Sequence, residues 1–414
     1  MLRLYMYLDV AIIGTGPIGI SVFNSFSKNL NIRVFSPSEQ FKFNITHDSN
    51  LNLTSDSSSG TVLGNIPKWG NQHDPNLNLS QDASEFSDLP GFTFSLETLS
   101  IYNKKLKRMG WPTTRNPRNY ILKPYREFIN EPKNCIRFRD LHLIQKVDYG
   151  YVLSVDEKLV FAKKIIFATG GLSNVFYANE VVEKFYPNLK KFHESIGVGY
   201  TNHPKKIIGT IVFKKPVQFK KIRFNKNLII VNRYNYSYSK TTLSYRFWPN
   251  NYNRISVNRV LSLIGFSKSF KIMSYFEFPQ LRRSRVEFIK KVDKTLIFKI
   301  NIHVTIDLLS FYEKSIKSLL EILKLNKNFT SFKEENRSTE FIYRDSNHHM
   351  GGTRQGNNPT DSVVDEHGKM HLTDGIYFAG TSVLPVSRSE HPTMLAVFLA
   401  LRSVEHIESG LKHE

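Results

Sequence analysis

Cysteine is almost absent from this chain of 414 residues, since Cys135 is its only one. A single cysteine excludes an intrachain disulfide and any metal cluster built on cysteine ligands. Long apolar runs are missing too, because no segment offers the roughly 18 uncharged apolar residues that a membrane span requires. The first residues lead directly into a strand-like segment, which argues against a signal peptide. We therefore expect a soluble cytoplasmic protein without a transmembrane segment or a metal site.

Acidic residues are scarce relative to basic ones. The chain has 57 Lys and Arg against 36 Asp and Glu, a net charge of +21. The basic residues are spread along the whole chain, whereas a nucleic-acid-binding protein gathers them on one face. We therefore expect no nucleic-acid partner. The excess charge is more suited to attracting an anionic substrate or to weak association with an anionic surface.

The N-terminal segment has the pattern of a dinucleotide-binding unit. A β-branched apolar run, Asp9–Ile13, is followed by a glycine turn, a helix-like stretch and a second strand at Ile32–Phe35. In this motif the first glycine makes the tight turn, the second lets the backbone approach a pyrophosphate, and the third lets helix and strand pack closely. The phosphate lies at the helix N-terminus, where free amides favour negative charge. The residues predicted to bind the dinucleotide are Gly14, Gly16, Pro17, Ile18 and Gly19.

One position departs from the usual pattern. An acidic residue normally ends the second strand and binds the ribose hydroxyls. Here Ser36 stands in that place, and Glu39 follows three residues later. Either Glu39 reaches back to the ribose, or the ribose is held more weakly at Ser36.

A second group of motifs lies near the C-terminus. The run His348–Gly356 reads HHMGGTRQG, the segment Gly375–Ser382 reads GIYFAGTS, and His391-Pro392-Thr393 opens an apolar helix. Proline suits the first helical turn, because its missing amide hydrogen would be unpaired there anyway. A strand that ends in glycine and is followed by a helix start is a further place to bind a phosphate or a flavin edge.

These blocks together resemble the glucose-methanol-choline (GMC) oxidoreductase family, in particular its short bacterial members and its pyranose-oxidase-like branch. Two internal segments, Lys164–Asn174 and Gly197–Pro204, resemble further family motifs in the expected order. The resemblance implies an α/β fold, with a discontinuous Rossmann-like FAD-binding domain and an α+β substrate domain of antiparallel sheet and helices. The FAD-binding domain is expected over 1–60, 140–200 and 340–414, and the substrate-binding or cap domain over 61–139 and 201–339.

FAD is the cofactor that the resemblance implies. The N-terminus of the last helix, at Pro392 and Thr393, carries a partial positive charge of about +0.5. In the family this end faces the flavin edge where negative charge builds during reduction. Besides the five residues of the glycine turn, the implied cofactor contacts are Ser36, Val147, Ala168, Gly170, Gly380, Thr381, Pro392 and Thr393.

Oxidation of an alcohol requires a base for the hydroxyl proton, and histidine is suited to this because its pKa lies near physiological pH. The resemblance implies one catalytic histidine at His391 and another before the glycine-threonine turn. Counting from the two ends of that motif selects either His348 or His349. Neighbouring side chains of an extended segment point to opposite faces, so only one of them reaches the flavin. We favour His348.

The middle of the chain, roughly 205–335, carries no motif that we can match. Within it, the segment from Thr305 to Leu325 places apolar residues at helical spacing. This pattern predicts an amphipathic helix.

We therefore predict an FAD-dependent enzyme that oxidises the CH–OH group of a sugar, a glycan precursor or another small alcohol. Its partners would be that small molecule and an electron acceptor, namely oxygen, a quinone or a carrier protein. Two alternatives stay open: a flavoprotein reductase or desaturase that takes hydride from NAD(P)H, and a flavin-binding protein whose catalysis has decayed. The latter is motivated by Ser36 and by Gln355, which stands where the family usually has methionine.

Overall fold

A computed structural model of the chain describes residues 4–39, 42–47, 52–54, 94–109, 111, 132, 134–202, 205–218, 243–249, 266–276, 282–325, 327–335, 342–344, 348–385 and 392–413. The strands in these ranges are β1 (Leu4–Ile13), β2 (Ile32–Pro37), β3 (Lys42–His47), β4 (Asn52–Thr54), β5 (Cys135–Phe138), β6 (Leu141–Val147), β7 (Gly150–Val155), β8 (Lys158–Phe167), β9 (Lys205–Gln218), β10 (Leu243–Pro249), β11 (Phe266–Phe276), β12 (Arg285–Val292), β13 (Thr295–Asn301), β14 (Phe329–Glu334), β15 (Ile342–Arg344) and β16 (Ile376–Phe378). The α-helices are α1 (Pro17–Ser25), α2 (Leu96–Arg108), α3 (Gly171–Phe185), α4 (Ile306–Lys324) and α5 (Thr393–His413). Short 3₁₀ segments lie at Pro187–Ser195 and Thr381–Val383.

The largest sheet has seven strands in the order β5-β2-β1-β8-β7-β6, and β16 pairs with the C-terminal part of β8. The strands β5, β2, β1, β8 and β16 run parallel, while β7 and β6 continue the sheet as an antiparallel meander. Helix α1 connects β1 to β2, so the N-terminal segment forms the βαβ unit that the glycine motif predicts. A parallel sheet covered on both faces has continuous apolar strands. Accordingly, Val10 to Ile13 are at most 1% exposed.

Helices cover both faces of this sheet. On one face, Val10 and Ile12 of β1 pack in a cluster with Val22 of α1 and Val404 of α5. On the other face, Ala11, Ile13 and Phe167 pack in the main core with residues of α3. The alternation of β1 between the two clusters follows from the two-residue period of a strand. None of the helices within the described ranges is long and apolar enough to cross a membrane.

Two smaller sheets hold most of the remaining strands. One has the order β10-β11-β9-β15-β4, with β14 also paired to β9, and the other has the order β12-β13-β3. The amphipathic helix predicted between Thr305 and Leu325 is confirmed as α4, with Thr305 as its N-cap. The hydroxyl of Thr305 accepts a hydrogen bond from the amide of Leu308 at 3.3 Å, which satisfies one of the free amides of the first turn. The α/β fold class with a Rossmann-like sheet is confirmed. The two smaller sheets are mixed and not purely antiparallel, because β13 pairs with β3 and β15 pairs with β4 in parallel.

Strand pairing crosses two of the predicted domain limits. Strand β5 falls in the range assigned to the cap domain, yet its backbone extends the large sheet through parallel pairing with β2. Strands β3 and β4 fall within 1–60, yet they pair with β13 and β15 in the smaller sheets. The division of the chain into two domains stays a prediction.

Candidate cofactor site and active site

The carboxyl ends of three parallel strands lie side by side at one edge of the large sheet. Ile13 at the end of β1 pairs with Phe167 of β8, which in turn pairs with Phe378 of β16. The residues that follow these strands therefore meet at one place, here named the strand-end edge: Gly14, Ala168 and Ala379. Open α/β sheets bind their ligands in the crevice beside such an edge.

The glycine turn Gly14–Gly19 leaves β1 at this edge. Gly14 has a φ of +116°, and a Cβ atom on it would lie 2.4 Å from the carbonyl oxygen of Ala168. A Cβ atom on Gly19 would lie 2.0 Å from the carbonyl oxygen of Gly14. By contrast, a Cβ atom on Gly16 would meet no atom of the described residues within 4 Å. The first and third glycines are thus required by packing, and the second leaves the space that a pyrophosphate needs.

The N-terminus of α1 faces the same region. Gly16 is the N-cap and, lacking a side chain, cannot cap the first amides, while Pro17 occupies the first turn of the helix. The amides of Ile18 and Gly19 follow in that turn. Uncapped amides and the helix dipole together favour an anion at this position. The five residues predicted for the glycine turn therefore fit the pyrophosphate of a dinucleotide such as FAD.

The acid expected at the end of β2 is replaced by a pair of hydroxyls. Ser36 and Thr15 share a hydrogen bond of 2.7 Å, and their exposed fractions are 0% and 3%. This bond ties the glycine turn to β2, a contact that the sequence alone does not reveal. Glu39 instead pairs with Lys294 at 2.5 Å. Its hydrogen bond and charge interaction with Lys294 lower the pKa of the Glu39 carboxyl.

Asn174 of α3 connects the other turns of the strand-end edge. Its Oδ1 accepts hydrogen bonds from the amide and the hydroxyl of Thr169 at 3.1 and 2.7 Å. Its Nδ2 donates to the carbonyl of Ala379 at 3.1 Å and to Oγ of Ser382 at 2.8 Å. The hydroxyl of Thr353 also donates to Oγ of Ser382, at 2.7 Å. Because Asn174, Ser382 and Thr353 are all 0% exposed, this satisfied network makes the edge rigid.

The turns held by Asn174 contain further predicted cofactor residues. Gly170 and Gly380 have φ values of +96° and +140°, conformations that favour glycine. A Cβ atom on Gly170 would have no atom of the described residues within 4 Å. The structure thus brings Ala168, Gly170, Gly380 and Thr381 to the edge that carries the glycine turn.

The adjacent histidines have different surroundings. His349 is 7% exposed, and its Nδ1 lies 2.6 Å from the hydroxyl of Tyr200, which is itself 1% exposed. The carbonyl of His349 accepts a hydrogen bond of 2.6 Å from the hydroxyl of Thr381. A Cβ atom on Gly171 would lie 2.4 Å from that carbonyl oxygen, so glycine allows His349 to approach the start of α3. His348 is half-buried.

Four predicted residues need separate mention. His391 lies outside the described residues. Thr393 begins α5, and the carbonyl of Pro392 accepts a hydrogen bond from the amide of Ala396 at 3.1 Å. Val147 ends β6, which β7 and β8 separate from β1. Val147 therefore lies on the outermost strand of this side of the sheet, two strands away from β8 and outside the strand-end edge.

Comparison with known families identifies the C-terminal part of the chain. Residues 280–400 match a family model described as GMC oxidoreductase. Over these residues the chain is similar to the GMC oxidoreductases. This range includes the motif His348–Gly356, strand β16 and the start of α5, which carry the resemblance seen in the sequence. FAD is the cofactor of the GMC oxidoreductases, as the sequence led us to expect.

Solved structures with the same fold extend the similarity beyond that range. Pyridoxine 4-oxidase from Mesorbium loti has a TM-score of 0.56 and 11% sequence identity, over 98% of this chain and 99% of that chain. Two variants of formate oxidase from Aspergillus oryzae RIB40, determined for their effect on FAD modification, each have a TM-score of 0.61 and 11% identity. Those alignments cover 99% of this chain and 100% of the oxidase. Identity this low establishes a shared fold alone. No curated protein sequence matches the chain significantly.

Proposed function

We propose that this GMC oxidoreductase binds FAD along the strand-end edge and oxidises the CH–OH group of a small alcohol or sugar. The observation that carries the proposal is the construction of that edge. Gly16 leaves open space beside the N-terminus of α1, and the buried amide of Asn174 fixes the neighbouring turns. The open space at Gly16 and the fixed turns around Asn174 together suit a long dinucleotide cofactor.

Different residues would bind the pyrophosphate and the flavin end of FAD. The turn Gly14–Gly19 and the first amides of α1 would bind the pyrophosphate. Gly380, Thr381 and the start of α5 would lie at the flavin end, where the positive end of the helix dipole stabilises negative charge. When bound, FAD supplies the acceptor for the hydride that leaves the alcohol carbon.

We assign the proton-accepting role to His349, although the sequence led us to favour His348. The hydroxyl of Thr381 fixes the main chain of His349, and Tyr200 lies at hydrogen-bond distance from its ring. A general base must be held in a fixed place within reach of the substrate hydroxyl. The half-buried His348 has the less enclosed position. A second catalytic role for His391 remains a prediction.

The proposed substrate class draws on proteins of the same fold. Two of the structural neighbours are a pyridoxine 4-oxidase and a formate oxidase. We extend to this chain the idea of a small-molecule substrate, with oxygen, a quinone or a carrier protein as electron acceptor. A cytoplasmic location is part of the same proposal.

Anaerobic flavin bleaching tests the function. The purified protein is incubated with FAD, freed of excess cofactor, and titrated with a panel of alcohols and sugars. We expect bound flavin that at least one alcohol bleaches, and a rate about 10²-fold lower in His349→Ala. A larger loss in His348→Ala than in His349→Ala would move the base to His348.

The same assay separates the alternatives. Absence of bound flavin would contradict the proposal. Bound flavin that no alcohol bleaches would favour a flavin-binding protein without catalysis. Bleaching by NADPH, but by no alcohol, would favour a reductase. Gln355 is buried, and its main-chain amide donates to the carbonyl of Val383 at 2.9 Å. This residue therefore fits the fold under each of these alternatives.

A further inference from the structure

We infer that Tyr200 is a positioning residue for His349, which holds Nδ1 of the imidazole so that Nε2 is the nitrogen presented to the substrate hydroxyl. The inference rests on the proposed function, since it concerns the base of that reaction. Its structural basis is the hydrogen bond of 2.6 Å between the phenol oxygen and Nδ1, formed by two residues 149 positions apart. Both side chains are buried, so water competes little for this bond.

The backbone around the pair fixes how the two side chains face each other. Thr201 and Met350 form an antiparallel bridge next to Tyr200 and His349. Its hydrogen bonds, from each amide to the other carbonyl, measure 2.9 and 3.0 Å. A third bond, from the amide of Gly197 to the carbonyl of Gly352, measures 2.6 Å. The segments that carry Tyr200 and His349 therefore cannot slide past each other without breaking main-chain bonds.

The phenol oxygen has an additional neighbour. Nδ2 of Asn202 donates to the oxygen of Tyr200 at 3.4 Å. Asn202 is 3% exposed and lies two residues further along the same segment. The hydrogen bond from Asn202 helps to hold the phenol in position beside the imidazole of His349.

The proposed role of His349 requires one direction of this hydrogen bond. Geometry alone allows either direction, and the base needs the tautomer in which Nδ1–H donates to the phenol oxygen and Nε2 carries the lone pair. In the reaction, the O–H bond of the substrate breaks and an N–H bond forms at Nε2. The imidazolium that results still donates from Nδ1 to Tyr200. Hydrogen bonds from a charged donor are about twice as strong as neutral ones, so the bond stabilises the product of proton transfer.

Histidine-selective ¹⁵N NMR tests the inference in the protein both with and without FAD. The resonances of His349 are assigned by their loss in His349→Gln. We expect His349 of the wild type to be fixed in the tautomer with its proton on Nδ1, and a ring fixed with its proton on Nε2 would contradict the inference. In Tyr200→Phe, which keeps the ring and removes the hydroxyl, the tautomers should mix and the titration midpoint of His349 should move to lower pH. Tyr102→Phe is the matched control, because Tyr102 is 1% exposed and donates to Glu405 at 2.8 Å.

Flavin bleaching supplies the second readout. In Tyr200→Phe we expect the rate at saturating alcohol to fall about tenfold, the effect of one lost charge-assisted hydrogen bond, and its pH profile to shift. KM and the affinity for FAD should stay within about twofold, because the role inferred for the phenol is to hold His349. In a His349→Gln background, Tyr200→Phe should cause no further loss, since it acts through His349.

The failures are distinguishable. A rapidly averaging ring in the wild type, or an unchanged His349 titration in Tyr200→Phe, would overturn the positioning role even if alcohols bleach the flavin. A protein that binds no FAD would overturn the proposed function, while the NMR of the FAD-free protein would still decide whether Tyr200 fixes His349. If Tyr200→Phe does not fold, the wild-type tautomer remains decisive.

Discussion

The glycine turn and the histidine crossing, the latter formed by residues 197–202 and 348–356, belong to one candidate site but are built on different principles. In the glycine turn, the contacts are steric: main-chain atoms lie where a Cβ would be, from Ala168 after β8 at Gly14 and from Gly14 itself at Gly19. In the histidine crossing, the contacts are hydrogen bonds between segments far apart in sequence, such as that between Tyr200 and His349.

Because of this difference, the two regions should tolerate different kinds of substitution. A steric site fails when volume is added, whereas a hydrogen-bonded site fails when a polar partner is removed. The buried amide of Asn174 stands between the two, because it fixes Thr169 after β8 and Ser382 after β16. Variants at the two regions should therefore produce distinct patterns of stability and cofactor affinity.

The largest effect is expected at Gly19. Gly19→Ala would place a methyl group 2.0 Å from the carbonyl oxygen of Gly14, and the main chain must move to admit it. We expect a loss of about 3 kcal/mol in the free energy of unfolding, the upper range for overpacking. Urea unfolding of the FAD-free protein measures this loss.

Gly16→Ala is the matched control for that change. Gly16 has a φ of −66°, which alanine adopts readily, so the free energy of unfolding should change by less than about 1 kcal/mol. FAD affinity should nevertheless fall at least about tenfold, because the methyl group enters the space for the pyrophosphate. Equal losses of stability in the two variants would abolish the distinction between packing and ligand approach.

The second effect in size is expected at Asn174. Asn174→Ala removes the four side-chain hydrogen bonds described above and leaves the half-buried Thr169 and the buried Ser382 with fewer partners. We expect a loss of about 2 to 3 kcal/mol in chemical denaturation. Asn179→Ala should cost less than about 1 kcal/mol, since the side-chain amide of Asn179 donates to Val175 of the same helix. Similar losses in both would show that the network adds nothing special.

The glycine turn is readable from the sequence, because its motif has a fixed spacing. The requirement for glycine at Gly19 arises within the turn, whereas that at Gly14 arises from Ala168 after β8. The parallel strands β1 and β2 and the helix α4 are likewise predicted by their apolar patterns.

The sequence predicts the histidine side less well, because its causes are not local. Nothing in the spacing of residues shows that Tyr200 reaches His349 or that Asn174 bonds to Ser382. The position of Val147 away from the strand-end edge has a related cause: strand order, which the local pattern does not encode, decides which strand ends meet.

A smaller effect is expected from the bond that ties the glycine turn to β2. Ser36→Ala leaves the buried hydroxyl of Thr15 without this partner, and should cost about 1 kcal/mol in the free energy of unfolding. The double variant Thr15→Val, Ser36→Ala should be no less stable than Ser36→Ala, because both polar partners are then removed. Strictly additive losses in thermal and urea unfolding would argue that the two hydroxyls do not interact.

The smallest effect is a pH dependence on the histidine side. Burial lowers the pKa of His371, whose Nε2 lies 2.9 Å from Oγ of Ser362 and 3.1 Å from the carbonyl of Gly356. Because the folded-state pKa lies below the unfolded value, protonation favours unfolding, and stability is lost as pH falls from above about 6.5. We expect this slope to flatten in His371→Asn and to persist in His413→Asn, since His413 is exposed. An unchanged slope in His371→Asn would place the pH dependence elsewhere.

The most direct test of the central claim is the titration of purified wild-type protein with FAD, followed by anaerobic addition of alcohols. We predict one bound FAD per chain, flavin absorbance that at least one alcohol bleaches, and a rate about 10²-fold lower in His349→Ala at unchanged FAD content. A protein that stays colourless after incubation with FAD would contradict the assignment of the strand-end edge as a flavin site.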